Sequence, residues 1–179
     1  MKRATHIDQL VRPLIRDLKP YSSARDEYAD SSAGMIFLDA NENPYERGVN
    51  RYPDPHQRGL KRRIAEIRGV TTDQLLLGNG SDEVLDLLIR VFCEPYKDAI
   101  ISLPPTSGMY RVLAGINAVE NIEIPLTEDF EADVETILDN SGDRTKILFL
   151  CSPNNPTGSV MSRSSIERWV DWVLDVPMY

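Results

Sequence analysis

The chain has 179 residues, enough for one domain or one domain plus an arm, and its 41% hydrophobic and 27% charged residues suit a soluble protein with a core. A formal net charge of −8 argues against nucleic acid or an anionic membrane as the main partner, so an anionic ligand would have to be met by local donors. No apolar run approaches the roughly 20 residues of a membrane-crossing helix, and the start, MKRATHIDQL, lacks a signal peptide's apolar stretch, so a cytoplasmic location is expected.

Ile7, Leu10, Val11, Leu14, Ile15 and Leu18 follow helical spacing behind Thr5 as a cap. Pro13 interrupts that pattern and predicts a kink or two short helices. The apolar stripe must be covered either by its own domain or by a partner subunit. Lys19–Gly34 is polar and reads as an irregular connection, and Met35–Pro44 begins as a short strand and ends in a turn rich in Asn. Asp54-Pro55 reads as a helix cap followed by a first-position proline, with Leu60, Ile64 and Ile67 on one face and Gly69 as the stop.

From there the chain alternates. Strands are predicted at Leu75–Leu77, Ala99–Leu103, Ile122–Ile124 and Ile147–Leu150. Helices are predicted from Ser81 to about Cys93, from about Gly108 to Asn117, over Glu131–Leu138, and from Ser162 to about Val176. This alternation implies an α/β domain with a mostly parallel sheet and flanking helices. Cys93 and Cys151 form no CxxC pair and sit in apolar runs, so reduced, buried thiols are expected. His6 and His56 lie far apart in sequence, and no metal site is expected.

Two turns carry the chemistry. Ser152-Pro153-Asn154-Asn155-Pro156-Thr157-Gly158 follows a buried strand, and its prolines restrict both themselves and the residues before them. It holds two amide side chains at the carboxyl end of a strand, where open α/β sheets bind ligands. A purely structural turn is the alternative. Gly78-Asn79-Gly80-Ser81-Asp82-Glu83 lies between a predicted strand and helix, where free N–H groups can bind phosphate. Its alternative is a tight turn with Ser81 as a helix cap. A dinucleotide fingerprint fails there, since Glu83 stands where the third glycine should be.

The stretches DANENPY, NRYPDP, GNGSDE, FCEPYKDAI, PPTSGMY and CSPNNPTG, in this order, resemble the amino-terminal half of the histidinol-phosphate aminotransferases. These are pyridoxal-phosphate (PLP) enzymes of fold type I that transfer an amino group between L-histidinol phosphate and 2-oxoglutarate (giving glutamate in the reverse sense) in histidine biosynthesis. The resemblance runs from about Leu18 to Gly158 and implies a homodimer. It implies that Gly80, Ser81 and Asp82 bind the cofactor phosphate, that Ser107 occupies a position beside the cofactor ring, and that Asn155 hydrogen-bonds the ring oxygen. Tyr52 would reach the partner subunit's cofactor phosphate, while Tyr21 and Asn41 would line the substrate pocket. Packing with a satisfied hydroxyl is the other reading of Tyr52 and Tyr21.

Two departures from the family pattern matter. Ser107 replaces an aromatic residue that stacks on the ring, so cofactor affinity is expected to fall unless Tyr110 or another ring moves in. The family's covalent lysine, its pyridine-pairing Asp and its substrate-binding Arg residues would lie beyond Tyr179, so no catalytic residue is assigned within this sequence. On this reading residues 1–50 form an arm and small-domain segment, and residues 51–179 the first part of the PLP-binding large domain. The chain alone is expected to be inactive. The alternatives are another class I aminotransferase, a phospho-amino-acid decarboxylase of the same fold, or a non-catalytic truncated subunit.

Overall fold

The computed structural model of the chain describes residues 7–22 and 36–175. It divides into two compact units, one drawing on residues up to Asp17 and from Gly78 onward, the other on Leu18–Leu77. The first unit holds the sheet. Three parallel strands, β1 (Ala99–Ser102), β2 (Glu120–Glu123) and β3 (Thr145–Leu148), stand in the order β2-β1-β3. In this register Ile101 lies opposite Ile122 on one side and Leu148 on the other.

The central strand β1 is buried along its whole length. Successive side chains of a strand point to opposite faces, so Ile100 and Ile101 enter different cores. Ile100 packs with Ile89, Leu113 and Phe149, whereas Ile101 packs with Ile124, Ile137 and Trp169. The same alternation sends Ile147 and Phe149 to the first core, and Leu148 and Leu150 to the second. A strand paired on both edges and covered on both faces has to be apolar throughout, which accounts for the run AIIS.

Helices α3 (Ser81–Phe92) and α4 (Met109–Ile116) cover the first face, presenting Leu85 and Ile89, and Tyr110, Leu113 and Ala114, at helical spacing. Helices α5 (Val134–Asn140) and α6 (Arg163–Asp175) cover the second through Ile137 and Trp169. Helix α5 starts three residues later than the sequence predicts. The Asp133 carboxylate accepts hydrogen bonds from the Thr136 N–H (3.1 Å) and hydroxyl (2.7 Å), and these, the hydroxyl first, hold it below the usual carboxylate range.

Pro13 does split the amino-terminal segment, into a 3₁₀ turn at Ile7–Gln9 and α1 (Pro13–Arg16). Its anchor is Arg12, whose guanidinium donates to both oxygens of Glu94 at 3.1 Å and to the Arg90 carbonyl at 2.9 Å. The apolar stripe stays largely open, with Ile7 61% and Leu14 67% exposed. Thr5 lies outside the described residues, as does most of the predicted connection over 19–34.

In the second unit, α2 (Arg58–Arg68) ends at Gly69, which takes the left-handed conformation (φ 65°). The helix does not begin at Pro55. Asp54 instead accepts the N–H groups of Arg58 (2.8 Å) and His56 (3.0 Å) across an extra turn, and the Arg58 bond foremost pulls its carboxyl below the usual range. Two predicted strands are not formed among the described residues. Residues 36–38 are not assigned to a strand, and Met35 lies outside the described residues. Leu75 is extended, but residues 75–77 join no sheet: the Leu75 N–H turns back to the Thr72 carbonyl, and Leu76 is 59% exposed. A three-residue apolar run predicts a strand only where a neighbouring strand lies within ladder distance. Among the described residues, no helix is long and apolar enough to cross a membrane.

Candidate active site

The loops after β1 and β3 leave the carboxyl edge of the sheet side by side. From β1 the chain passes through α4 to β2 on one flank; from β2 it passes through α5 to β3 on the other. Helix α4 covers one face, and α6, which follows β3, covers the opposite face. The two loops therefore diverge, and a crevice opens between β1 and β3. Such a reversal of strand order is where open α/β sheets bind ligands.

Asn154 lies across this crevice. It is a buried polar residue, 7% exposed. Its Oδ1 accepts from Thr106 Oγ1 at 2.9 Å, and its Nδ2 donates to the Pro105 carbonyl and to Thr157 Oγ1, both at 2.8 Å. The main chain adds Asn154 N–H to Ser159 O and Gly158 N–H to Asn154 O, each 2.8 Å. The adjacent Asn155 is exposed, and its side chain makes no hydrogen bond to the described residues. One amide of the pair thus ties the turn together and the other is free to meet a ligand. The Pro104-Pro105, Ser152-Pro153 and Asn155-Pro156 peptide bonds are cis.

Ser107 sits in the β1 loop, half-buried, with its Oγ accepting from the Met109 N–H at 3.4 Å. The expected fall in cofactor affinity had one named exception, a ring supplied by Tyr110, and Tyr110 is engaged elsewhere. Tyr110 is 8% exposed and stacks on Phe149 with ring centroids 4.6 Å apart. Burial foremost, then a hydrogen bond with Cys151, pushes its hydroxyl up to about 12. A ring built into the core in this way cannot also face the crevice.

The start of α3 reaches the same edge. The Glu94 N–H, just past the end of α3, donates to the Asp98 carboxylate at 2.8 Å, immediately before β1, and Ile89 packs on Ile100 of that strand. The helix therefore runs antiparallel to the strands, and its 12 residues span about 18 Å, enough to carry Gly80–Asp82 to the carboxyl edge. Gly80 has φ 86°, a conformation that favours glycine. The Asn79 N–H donates to the Glu83 carboxylate, which folds back to close the turn. A Cβ on Gly78 would stand 2.8 Å from Val84 Cγ2 and 3.0 Å from Glu83 Oε2. No side chain caps the helix, so first-turn N–H groups beside the exposed Ser81 and Asp82 remain available to an anion.

The other predicted residues belong to the second unit. The Tyr52 hydroxyl donates to the Asn41 carbonyl at 3.4 Å, so DANENP and NRYP meet there. What joins them is Glu42, whose carboxylate is 3% exposed and accepts from Arg51 Nη1 and the Tyr52 N–H, both at 2.8 Å. Tyr21 is 92% exposed. Both thiols are free: Cys93 is buried, which with the nearby Asp98 pushes it up to about 12, while Cys151 is half-buried. Among the described residues, no group of three or more His, Cys, Asp or Glu side chains is placed to hold a metal ion.

The family model for aminotransferase class I and II matches residues 35–175. The chain belongs to the class I and II aminotransferases. Histidinol-phosphate aminotransferase of Flavobacterium johnsoniae is 62% identical over 163 residues, which are 90% of this chain and 47% of that protein. The enzyme of the same name from Christiangramia forsetii is 57% identical over 162 residues, 90% of this chain and 46% of that one. Among solved structures, histidinol-phosphate aminotransferase from Sinorhizobium meliloti in complex with pyridoxal-5'-phosphate is 25% identical. It superposes with a TM-score of 0.60 over 71% of this chain and 34% of its own. The chain spans about half the length of the curated relatives it matches.

In this aminotransferase chain, sequence reasoning reached the exposed partner of each pair and missed the buried one. Asn155 is legible from its motif; Asn154 is not, because its role depends on Thr106 and Pro105, some 48 residues away. Glu42 likewise acts on Arg51 and Tyr52 from another stretch. The signal that was present is small: an acid between two Asn residues, and an amide between a proline and an Asn.

Proposed function

We propose that the full-length protein is a PLP-dependent histidinol-phosphate aminotransferase, a cytoplasmic homodimer that moves an amino group between L-histidinol phosphate and 2-oxoglutarate in histidine biosynthesis. The observation that carries the reading is an exposed, unengaged Asn155 amide at the same sheet edge as the uncapped α3 start, in a chain 62% identical to a histidinol-phosphate aminotransferase. These residues fit the cofactor chemically. The α3 start offers N–H donors and a positive helix end to a phosphate, and the overall charge of −8 requires that such donors be local. Asn155 offers a neutral donor to a ring oxygen.

When bound, PLP supplies the electron sink for the charge that develops at the substrate carbon. The chain's own residues bind and orient. Gly80, Ser81 and Asp82 would hold the phosphate, Asn155 would donate to the ring oxygen, and Ser107 would stand beside the ring with no aromatic face to offer it. Tyr52 reaches the neighbouring subunit's phosphate, and Tyr21 and Asn41 line the substrate pocket. Residues 1–50 serve as arm and small-domain segment, and residues 51–179 begin the large domain.

The test is a PLP titration of the full-length protein by absorbance, with glutamate formation from histidinol phosphate as a second readout. Losing a hydrogen bond to a charged oxygen weakens PLP binding in Asn155→Ala by about tenfold or more. Gly80→Ala weakens it too, by straining the φ 86° turn. A parent protein that binds no PLP overturns the assignment, and one that binds PLP but ignores histidinol phosphate overturns the substrate.

A further inference from the structure

We propose that Asn154 is a positioning residue that sets the Asn155 amide and the Ser107 loop as one unit across the crevice. The proposal rests on the cofactor reading above and deepens it. An amide side chain has two donor hydrogens and an acceptor oxygen, and Asn154 commits both hydrogens and the oxygen to the protein. Two of its three partners, Thr106 and the Pro105 carbonyl, lie in the β1 loop; the third, Thr157, lies in its own turn. With donors on one side and an acceptor on the other, only one orientation of the amide satisfies all three. The exposed Asn155 is the next residue, so its direction follows from how Asn154 is held. Ser107 is the next residue after Thr106, at the opposite end of the same hydrogen bond.

The crevice itself favours this role. Strands β1 and β3 are paired at Ile101↔Leu148, but the chain beyond them separates to opposite faces of the sheet. Among the described residues, Asn154 makes the side-chain hydrogen bonds that span the two loops. A ligand group held by Asn155 therefore takes its position relative to the β1 loop from Asn154, which is itself buried.

The experiment uses the full-length protein and two ligands that bind without a covalent link, pyridoxamine 5'-phosphate and its 3-deoxy analogue, by calorimetric titration. The 3-hydroxyl is the group that Asn155 would meet, so the ratio of the two affinities reports the aim of that amide. Asn154→Asp places an acceptor against the Pro105 carbonyl, and Thr106→Val removes one bond while keeping the side chain's shape. Both are expected to reduce the ratio about fivefold, the scale of one neutral hydrogen bond, toward the value for Asn155→Ala, and Thr106→Ser is expected to restore it. A role confined to stability lowers both affinities together; an unchanged ratio, or equal losses, overturns the proposal.

A ligand-free arm separates this proposal from the reading beneath it. Backbone hydrogen exchange in both variants is expected to accelerate in residues 104–108 and 152–159 together. Acceleration in one loop alone overturns the coupling whatever the ligands do. A parent that binds neither ligand overturns the cofactor reading, and coupled exchange in that protein sustains the two-loop clamp.

Discussion

The sheet unit and the Leu18–Leu77 unit have similar residue types but are held in different ways. In the first, Ile89, Ile100, Ile101 and Ile137 are fully buried on two faces of one sheet. In the second, Ala65 is the one buried apolar residue among those described, while Ile36, Leu38 and Val49 are 88–91% exposed. Order there comes from polar side chains reaching the main chain: Glu42 to Tyr52, Asp54 to Arg58, Asn43 to Tyr45, and Thr71 with Gln74. Hydrophobic burial is proportional to area and holds a whole unit, whereas these bonds fix single turns. The sheet unit therefore sets the positions of the loops at its edge, and the second unit sets only short pieces of chain.

The sharpest way to break this contrast is a matched pair of truncations. Ile100→Ala is expected to cost about 2–5 kcal/mol, because it removes a fully buried side chain from the central strand. Leu38→Ala, at a residue 91% exposed, is expected to stay within about 0.5 kcal/mol in the monomer. Urea unfolding of the two variants gives both numbers. Equal losses would mean that the second unit has a core of its own.

The same contrast explains what could be read from the chain beforehand. Strands β1 and β3 and helices α3 and α4 were legible because their apolar residues recur with the period that the element buries. Ile100 and Ile101 go to opposite faces, and Leu85 and Ile89 to one. Residues 36–38 and 75–77 carry the same apolar signal without a strand beside them, and the prediction fails there. At the site, motifs single out Gly80, Ser81 and Asn155, which are exposed and whose backbone setting is local. Whether Tyr110 could replace the missing ring was not legible, because its place depends on Phe149, which no local pattern connects to it.

Glu42 tests whether polar contacts alone hold the second unit's turns. Glu42→Ala leaves the Arg51 guanidinium and the Tyr52 N–H without their acceptor, a loss of about 1–3 kcal/mol. Because the bonds are local, the effect is expected as faster hydrogen exchange over residues 41–52, with little change in the cooperative unfolding of the sheet unit. Glu42→Gln retains an acceptor oxygen and recovers part of the protection. A drop in the global midpoint equal to that of Ile100→Ala would show that the two units unfold as one.

The smallest effect concerns the arm, which among the described residues meets the sheet unit through the Arg12–Glu94 ion pair. Arg12 donates to both oxygens of Glu94, and this bond, ahead of the simple attraction of the charges, holds the Glu94 carboxyl below its usual range. A carboxyl depressed in the folded state contributes fully above the ordinary glutamate pKa of about 4.3. The contribution disappears as pH falls through the depressed value. The Arg12 N–H, bonded to the Val91 carbonyl at 3.0 Å, reports the arm directly. After correction for intrinsic rates, its exchange is expected to be steady from neutral pH down to that range and to accelerate below it. In Glu94→Gln it is expected to be fast throughout. The pair is solvent-accessible, so added salt should weaken it and narrow the difference between the two proteins. A parent arm that loosens at the same pH as the sheet would show that burial, and not Arg12, holds it.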